Sequence, residues 1–484
     1  MGNEKKENRI MNFESKNFQQ FNLPFTLDSL DLVDIVDSSI DVKENDIVFI
    51  STKNEEECKK FIEESIEKKA GYIFTYLNLK LAQKNVYNVQ DFDGLLSSLS
   101  TFKYPQYKEK KTFGVTGTNG KTTTCHFLNI LLGKNKSEFV GTTTGKAMES
   151  VTKMPSLTTP TFIPLIKYIS RNEEIHNIIL EVSSHAIEQN RLSNFEFDKT
   201  SFTNLSQDHL DFHTSIDDYF QTKKKLFNPE RSKFGIIFSN DWGIKLTKDL
   251  SIDYVTVGFK SSDFATFKTR RQDKSTTEGT LLIDNDKYDL RLPISGPGSV
   301  DNFLIAITNA YFSDGSFEDY LANIKELRLP DGRYQKLVYK KKNVIIDYAH
   351  TPEALSELLT FAKGHYKKVL VLFGCGGNRD VSKREKMGKA SEIADSIILT
   401  SDNPRDENPE EIIETILNGI SQKEKVSIIV NRKEAMEHGI SNIDTEEEVL
   451  ILTGRGHESY QEVDGKFLPF NDYVVADEIL KGEK

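Results

Sequence analysis

The sequence predicts an α/β protein of three domains, and three observations predict it. Short β-branched and aliphatic runs alternate with helix-length spacers, and the runs are continuous rather than alternating, as in parallel strands covered on both faces. The unusual polar clusters directly follow such runs, at the carboxyl ends where parallel sheets hold ligands. At 484 residues the chain also exceeds what one hydrophobic core can serve.

The middle of the chain supplies the strands "TFGVTG" (112–117), "NIILEVSS" (177–184), "KTSFTNLS" (199–206) and "FGIIFSND" (234–241). The last third supplies "NVIIDYAH" (343–350), "KVLVLFGCGG" (368–377), "SIILTSDNP" (396–404), "VSIIVNR" (426–432) and "VLILTGRGH" (449–457). Residues 255–295, rich in Thr, Asp and Lys, read as antiparallel hairpins within the middle domain. The stretches 104–111 and 327–335 read as linkers, which sets the expected domains at 1–108, 109–330 and 331–484. The first is a smaller α/β domain, the second a P-loop ATPase-type parallel sheet, and the third a Rossmann-like α/β domain. Residues 1–10 read as a loose tail, with Met11 an alternative start.

Composition narrows the function classes. Hydrophobic content of 37%, with 31 Phe and 17 Tyr, excludes a disordered chain, and 28% charged residues indicate a soluble one. A net charge of −11 argues against general nucleic-acid binding, while a local cation cluster still suits an anionic substrate. No apolar run approaches the ~20 residues needed to span a membrane, and the N-terminus has no secretory-signal pattern. Cys58, Cys125 and Cys375 have neither metal-ligand nor disulfide-framework spacing, which fits a reducing cytoplasm.

The chemistry starts at "GVTGTNGKTTT" (114–124). A strand, a turn of Gly117, Thr118, Asn119 and Gly120, then Lys121, Thr122 and Thr123 opening an apolar-faced helix, make a phosphate cradle at a helix N-terminus. Lys121 is expected at the terminal phosphates of ATP and the Thr122 hydroxyl on Mg²⁺. Val115 stands where the common nucleotide loop has its first glycine, so the turn is a shorter variant. Glu181 of "EVSSH" and His209 of "DHLDFH" end neighbouring strands, which suggests Mg²⁺ held by Thr122 and Glu181, with a second ion near His209.

Together these motifs resemble the muramyl ligases, the ATP-dependent amide-forming enzymes of peptidoglycan precursor synthesis. "GTNGKTT", "LTTP" (157–160), "EVSSHAIEQNR" (181–191), "FTNLSQDHLDFH" (202–213), "DYAHTPEAL" (347–355), "FGCGGNRD" (373–380), "DNPR" (402–405) and "GRGHE" (454–458) stand in the family's order. The resemblance covers residue 110 to the end and is weak before that. It implies transfer of the ATP γ-phosphoryl to the D-glutamate γ-carboxylate of UDP-N-acetylmuramoyl-L-alanyl-D-glutamate, then attack of an amine on the acyl phosphate. It also implies a carbamylated lysine on the second metal, and the Tyr-x-x-x-Lys register selects Lys223. The UDP-dipeptide is expected at Thr158, Thr159, Ser183, Gln189 and Arg191. Ser39 is the expected uridine contact, although Ile40 replaces the family's Arg there. Asn302, Arg333, Asp347 and His350 are expected on the nucleotide.

The same resemblance assigns Arg379, Asp402, Asn403, Pro404, Arg405, Gly454 and Glu458 to the amino-acid site. Arg405 suits meso-diaminopimelate, whose second carboxylate a guanidinium binds through two oxygens. L-lysine leaves that cation unpaired, at a loss of roughly a hundredfold or more. Asn378 departs from the family's Asp, and "PDGR" (330–333) from its Pro-Gly-Arg. A soluble monomer is expected. Three alternatives stay open at this point: the same ligation with L-lysine, a folylpolyglutamate synthetase-like ligase, and a non-catalytic nucleotide-binding protein.

Overall fold

The computed structural model describes residues 32–482 except 80–82, 154–156 and 193, together with 21, 23–25 and 30. The expected tail at 1–10 and the alternative start at Met11 lie outside the described residues. The chain divides into two compact units, Met1–Phe113 with Asn135–Asp198, and Gly114–Lys134 with Lys199–Lys484.

The first unit opens with a parallel sheet of β1 (Ile35–Val36), β2 (Ile47–Ile50), β3 (Tyr72–Thr75) and β4 (Val86–Asn88), in that spatial order. The helix Glu55–Glu67 packs on it because its apolar positions fall on one face, where Cys58 and Ile62 meet Val48, Ile50 and Ile73. Asn54 caps that helix by accepting from the amides of Glu56 and Glu57, at 2.9 and 3.1 Å. After β5 (Lys111–Thr116), which leads from one unit into the other, the first unit resumes with the parallel pair β6 (Ser137–Val140) and β7 (Asn177–Glu181).

In the second unit, the helix Lys121–Leu132 directly follows the phosphate turn. The strands β8 (Lys199–Phe202), β9 (Phe234–Phe238), β10 (Asp253–Gly258), β11 (Ala265–Gln272), β12 (Thr277–Ile283) and β13 (Asp286–Leu292) lie side by side in sequence order. The first four are parallel and the last pairings antiparallel, so the hairpins expected at 255–295 are present as β11 to β13.

The remaining chain forms a six-stranded sheet from β14 (Gln335–Tyr339), β15 (Lys342–Ile346), β16 (Lys368–Phe373), β17 (Ser396–Leu399), β18 (Val426–Ile428) and β19 (Glu448–Leu452). Its order is β14-β15-β19-β16-β17-β18, and only β14 runs antiparallel. The strands read as unbroken apolar runs because both faces are buried. Val369, Val371, Ile397 and Ile451 sit in one core cluster, and Leu370, Leu372, Ile398 and Leu450 in the other. Inserting β19 between β15 and β16 reverses the winding there, so the loops after β15, β16 and β19 gather at a topological switch point. A hairpin, β20 (Tyr460–Val463) and β21 (Lys466–Pro469), follows.

All nine strands expected from the sequence are present, and the linker stretches become a short 3₁₀ turn at Pro105–Glu109 and an irregular connection before β14. The three cysteines are buried thiols without disulfides. Among the described residues, no helix is long and apolar enough to cross a membrane.

Candidate active site

The phosphate turn is shaped by backbone that only glycine adopts easily. Gly117 has φ +151° and Gly120, which caps the helix Lys121–Leu132, has φ +83°. A Cβ at Gly117 would run into Thr203 Oγ1, and one at Gly120 into Asn302 Oδ1. The turn is tied to the end of β8: Thr118 N donates to Asn204 O and Asn119 N to Asn204 Oδ1, both at 2.9 Å. Those two amides therefore stiffen the loop, and the helix N-terminus that follows it is the kind of place where backbone amides and the helix dipole favour an anion.

Two lysines converge on one carbonyl. Lys121 Nζ donates to Gly117 O at 3.1 Å and Thr118 O at 2.8 Å, and Lys223 Nζ donates to Gly117 O at 2.8 Å. Lys223 is 1% exposed and lies 4.4 Å above the Tyr219 ring, so this ammonium is a buried group and not part of a solvated helix face. Tyr219 also stands edge-on to His209, and its hydroxyl accepts from Thr118 Oγ1 at 3.3 Å. His209 takes a positive φ of 54° and brings Nε2 to 3.4 Å from Asp208 Oδ2.

Asp208, which the sequence does not mark as a site residue within "DHLDFH", is the local hub. It accepts from His350 Nε2 at 3.2 Å and Lys383 Nζ at 3.4 Å. Burial pushes its carboxyl up, but His350, Lys383 and His209 outweigh that and hold it well below the usual range. One carboxylate thus links the loop after β8 to the loops after β15 and β16.

Beside the turn lies a cavity of ≈ 360 Å³ lined by Asn119, Gly120, Asn302, Arg333 and Asp347 among others. Arg333 Nη2 donates to Thr122 Oγ1 at 3.3 Å, and its guanidinium lies 4.3 Å from the Tyr348 ring centre. Asn302 Oδ1 accepts from Thr124 Oγ1 at 3.1 Å. Asp347 accepts from the amides of Tyr334 and Ala349, both at 2.7 Å, and burial pushes its carboxyl up. Thr123 lines the same cavity.

The loops after β16, β17 and β19 build a second centre. Arg405 has φ +52°, its Nη1 donates to Gly377 O at 2.7 Å, and its Nε pairs with Glu462 Oε2 at 3.0 Å. Asn403 donates to Glu458 Oε2 at 2.8 Å and accepts from Arg455 Nη1 at 2.9 Å. Burial, with Asp402 adding repulsion, pushes the Glu458 carboxyl up to about 7. Gly454 has φ +101°, and a Cβ there would stand 2.7 Å from Asp402 Oδ2. Pro404 is buried, with its carbonyl against Gly377, while Arg379 is exposed. Glu407 accepts from the Asn378 amide and pairs with Arg384 at 2.9 Å, so a carboxylate stands beside the position where Asp was expected.

In the first unit six expected residues come together. Glu181 Oε2 accepts from Thr142 N and Oγ1 at 3.1 and 2.9 Å, and Thr158 Oγ1 lies 3.2 Å from Thr142 Oγ1. Thr159 Oγ1 donates to Glu181 O at 2.8 Å and accepts from Ser183 N at 3.0 Å. Arg191 donates to Thr159 O at 3.0 Å and to Gln189 Oε1. Ser39 stands apart from this group: its hydroxyl donates to Glu64 Oε2 at 2.6 Å. Thr142 is not among the expected residues, although "GTTTG" directly after the β6 run carries the same strand-end signal as the others.

Similarity to known proteins agrees with this arrangement. Residues 115–310 match the Mur ligase middle domain, and residues 332–456 match the Mur ligase glutamate ligase domain. The UDP-N-acetylmuramoyl-L-alanyl-D-glutamate--2,6-diaminopimelate ligase of Aquifex aeolicus is 39% identical over 377 residues, covering 76% of this chain and 77% of that one. The ligase of the same name from Rickettsia montanensis is 33% identical over 457 residues, covering 91% and 94%. A solved structure of a ligase with this name superposes with a TM-score of 0.62 at 25% identity, covering 93% and 94%. The chain belongs to the Mur ligase family.

Proposed function

We propose that this chain is the ATP-driven ligase joining meso-diaminopimelate to UDP-N-acetylmuramoyl-L-alanyl-D-glutamate in peptidoglycan precursor synthesis, working as a cytoplasmic monomer. The observation that carries the reading is the pairing, within one unit, of a glycine-shaped phosphate turn and a strand-end centre where Arg405 and Glu458 offer a cation and an acid. The domain limits proposed for it are 1–108, 109–330 and 331–484.

Mur ligases form amide bonds at the expense of ATP. A carboxylate oxygen of the UDP-dipeptide attacks the γ-phosphorus and ADP departs. The amine nitrogen then attacks the acyl carbon, the C–O bond to phosphate breaks, and the nitrogen loses its proton. Phosphoryl transfer between anions needs alignment and charge neutralisation above all. The amides opening the helix Lys121–Leu132 and the Lys121 ammonium bind the phosphates, with Gly117, Thr118, Asn119 and Gly120 shaping the turn. Asn302, Arg333, Asp347 and His350 hold the nucleoside side, Thr123 lining its cavity. Thr158, Thr159, Ser183, Gln189 and Arg191 hold the UDP-dipeptide, with Ser39 on the uridine.

The residues fit Mg²⁺. Among the described residues, no group of three or more His, Cys, Asp and Glu could hold a metal. A cation that takes one or two protein ligands and completes its shell from substrate phosphates and water needs no such cage. Thr122 and Glu181 would hold one Mg²⁺ and His209, with Lys223 as its carbamate, a second, and the ions would neutralise charge on the transferring phosphoryl group.

The amino acid is bound by Arg379, Arg405 and Glu458, on the loops after β16, β17 and β19 that Asp402, Asn403, Pro404 and Gly454 help to shape. Arg405 takes the carboxylate that diaminopimelate has and L-lysine lacks. Phosphate release from ATP tests the reading: it should require both the UDP-dipeptide and diaminopimelate. Release with neither present would show a nucleotide hydrolase, and release with L-lysine in place of diaminopimelate would reassign the amino acid.

A further inference from the structure

The hairpin β20–β21 makes a concentrated set of bonds to the loop that carries Arg405. Arg405 N donates to Glu462 O at 3.1 Å, Asp464 N donates to Arg405 O at 2.9 Å, and Arg405 bridges to Val463 as a strand would. Glu462 N donates to Asn403 Oδ1 at 2.9 Å, and Gln461 Nε2 donates to Asp402 O. Arg405 is a non-glycine residue at φ +52°, a conformation that local preference does not supply and neighbouring contacts must impose. The hairpin supplies those contacts from both sides of the residue.

The side chain is fixed as firmly as the backbone. The guanidinium is gripped at two points, Nε by the Glu462 carboxylate at 3.0 Å and Nη1 by Gly377 O at 2.7 Å. A planar fork held at two nitrogens is fixed in orientation. Without Glu462 the long arginine side chain would rest on a single carbonyl contact.

We propose that Glu462 is a positioning residue for amino-acid selection: through its ion pair, and with the hairpin that carries it, it holds the Arg405 guanidinium in the orientation that receives the second carboxylate of diaminopimelate. The role rests on the reading of Arg405 given above, and Glu462 itself touches no substrate. Because the binding cation arrives already ordered, the ligand does not have to immobilise it.

Steady-state kinetics of the full-length enzyme with Glu462→Ala and Glu462→Gln test this. Glu462→Ala should raise the KM for diaminopimelate about tenfold, the worth of immobilising one long side chain. Its kcat and the KM for ATP should stay at wild-type values. Glu462→Gln, whose amide oxygen still accepts from Nε, should bring the diaminopimelate KM most of the way back. An Ala variant whose KM for diaminopimelate is unchanged or lower overturns the proposal. So does one in which the KM for ATP rises in step, because a general loosening of the fold would move both. Wild-type enzyme that fails to use diaminopimelate would instead refute the parent reading, which separates the two failures.

Discussion

The turn at Gly117–Thr122, proposed to hold phosphate, and the loop at Asp402–Arg405, proposed to hold the amino acid, both follow parallel strands, yet they are built by opposite means. The first is made by backbone: two glycines at positive φ, amides tied to Asn204, and a helix N-terminus. The second is made by side chains from distant segments: Glu462 on Arg405, Arg455 and Glu458 on Asn403, and a fully buried Arg432–Asp472 pair below them. Backbone amides suit a ligand that every turnover shares, since a phosphate is the same in every nucleotide. Placed side chains suit the part that must tell one amino acid from another.

If the turn works as proposed, its failures should be severe and blind to the amino acid. Lys223→Ala should cut kcat by about 10² to 10³, the usual worth of one charge-stabilising group, with partial rescue by a short carboxylate acid. Full activity in the unrescued variant would remove Lys223 from the mechanism. Gly117→Ala forces a Cβ onto Thr203 Oγ1 and should cost on the order of a hundredfold in activity, with nucleotide binding weakened in a fluorescence titration.

The amino-acid loop should fail differently. Asp472→Asn leaves Arg432, fully buried, facing an uncharged partner where Oδ2 now accepts at 2.6 Å. Stability measured by denaturant unfolding should fall by about 3–5 kcal/mol.

The smallest expected effect is a pH dependence. Burial raises the Glu458 carboxyl to about 7, so the anionic form that can hold an ammonium is full above that pH and is lost below it. The kcat/KM for the amino acid should therefore fall from pH 8 to pH 6 with an inflection near 7. Glu458→Gln should erase the inflection and leave only the smooth slope from deprotonation of the attacking amine. An inflection that survives the substitution would assign it to another group.

The same contrast explains what could be read from the sequence. The strands were legible because both faces of each sheet are buried, so every run is apolar without interruption. The phosphate turn was legible because its parts are contiguous within a dozen residues. In the amino-acid loop the residues proposed to bind were visible, but their supports were not. Glu462 lies in an exposed, charge-rich hairpin more than fifty positions from Arg405, and Asp472 reads as an ordinary first-turn acid of a helix. Asp208 was hidden for a related reason: its partners, His350 and Lys383, follow strands 140 and more residues downstream. A hub that exists only after folding leaves no local pattern.

The division of labour itself is tested most directly by Arg405→Ala, comparing kcat/KM for diaminopimelate and for L-lysine at saturating ATP and UDP-dipeptide. The account predicts a loss of about a hundredfold for diaminopimelate, no loss for L-lysine, and an unchanged KM for ATP. A variant that keeps the wild-type preference for diaminopimelate over L-lysine would contradict it.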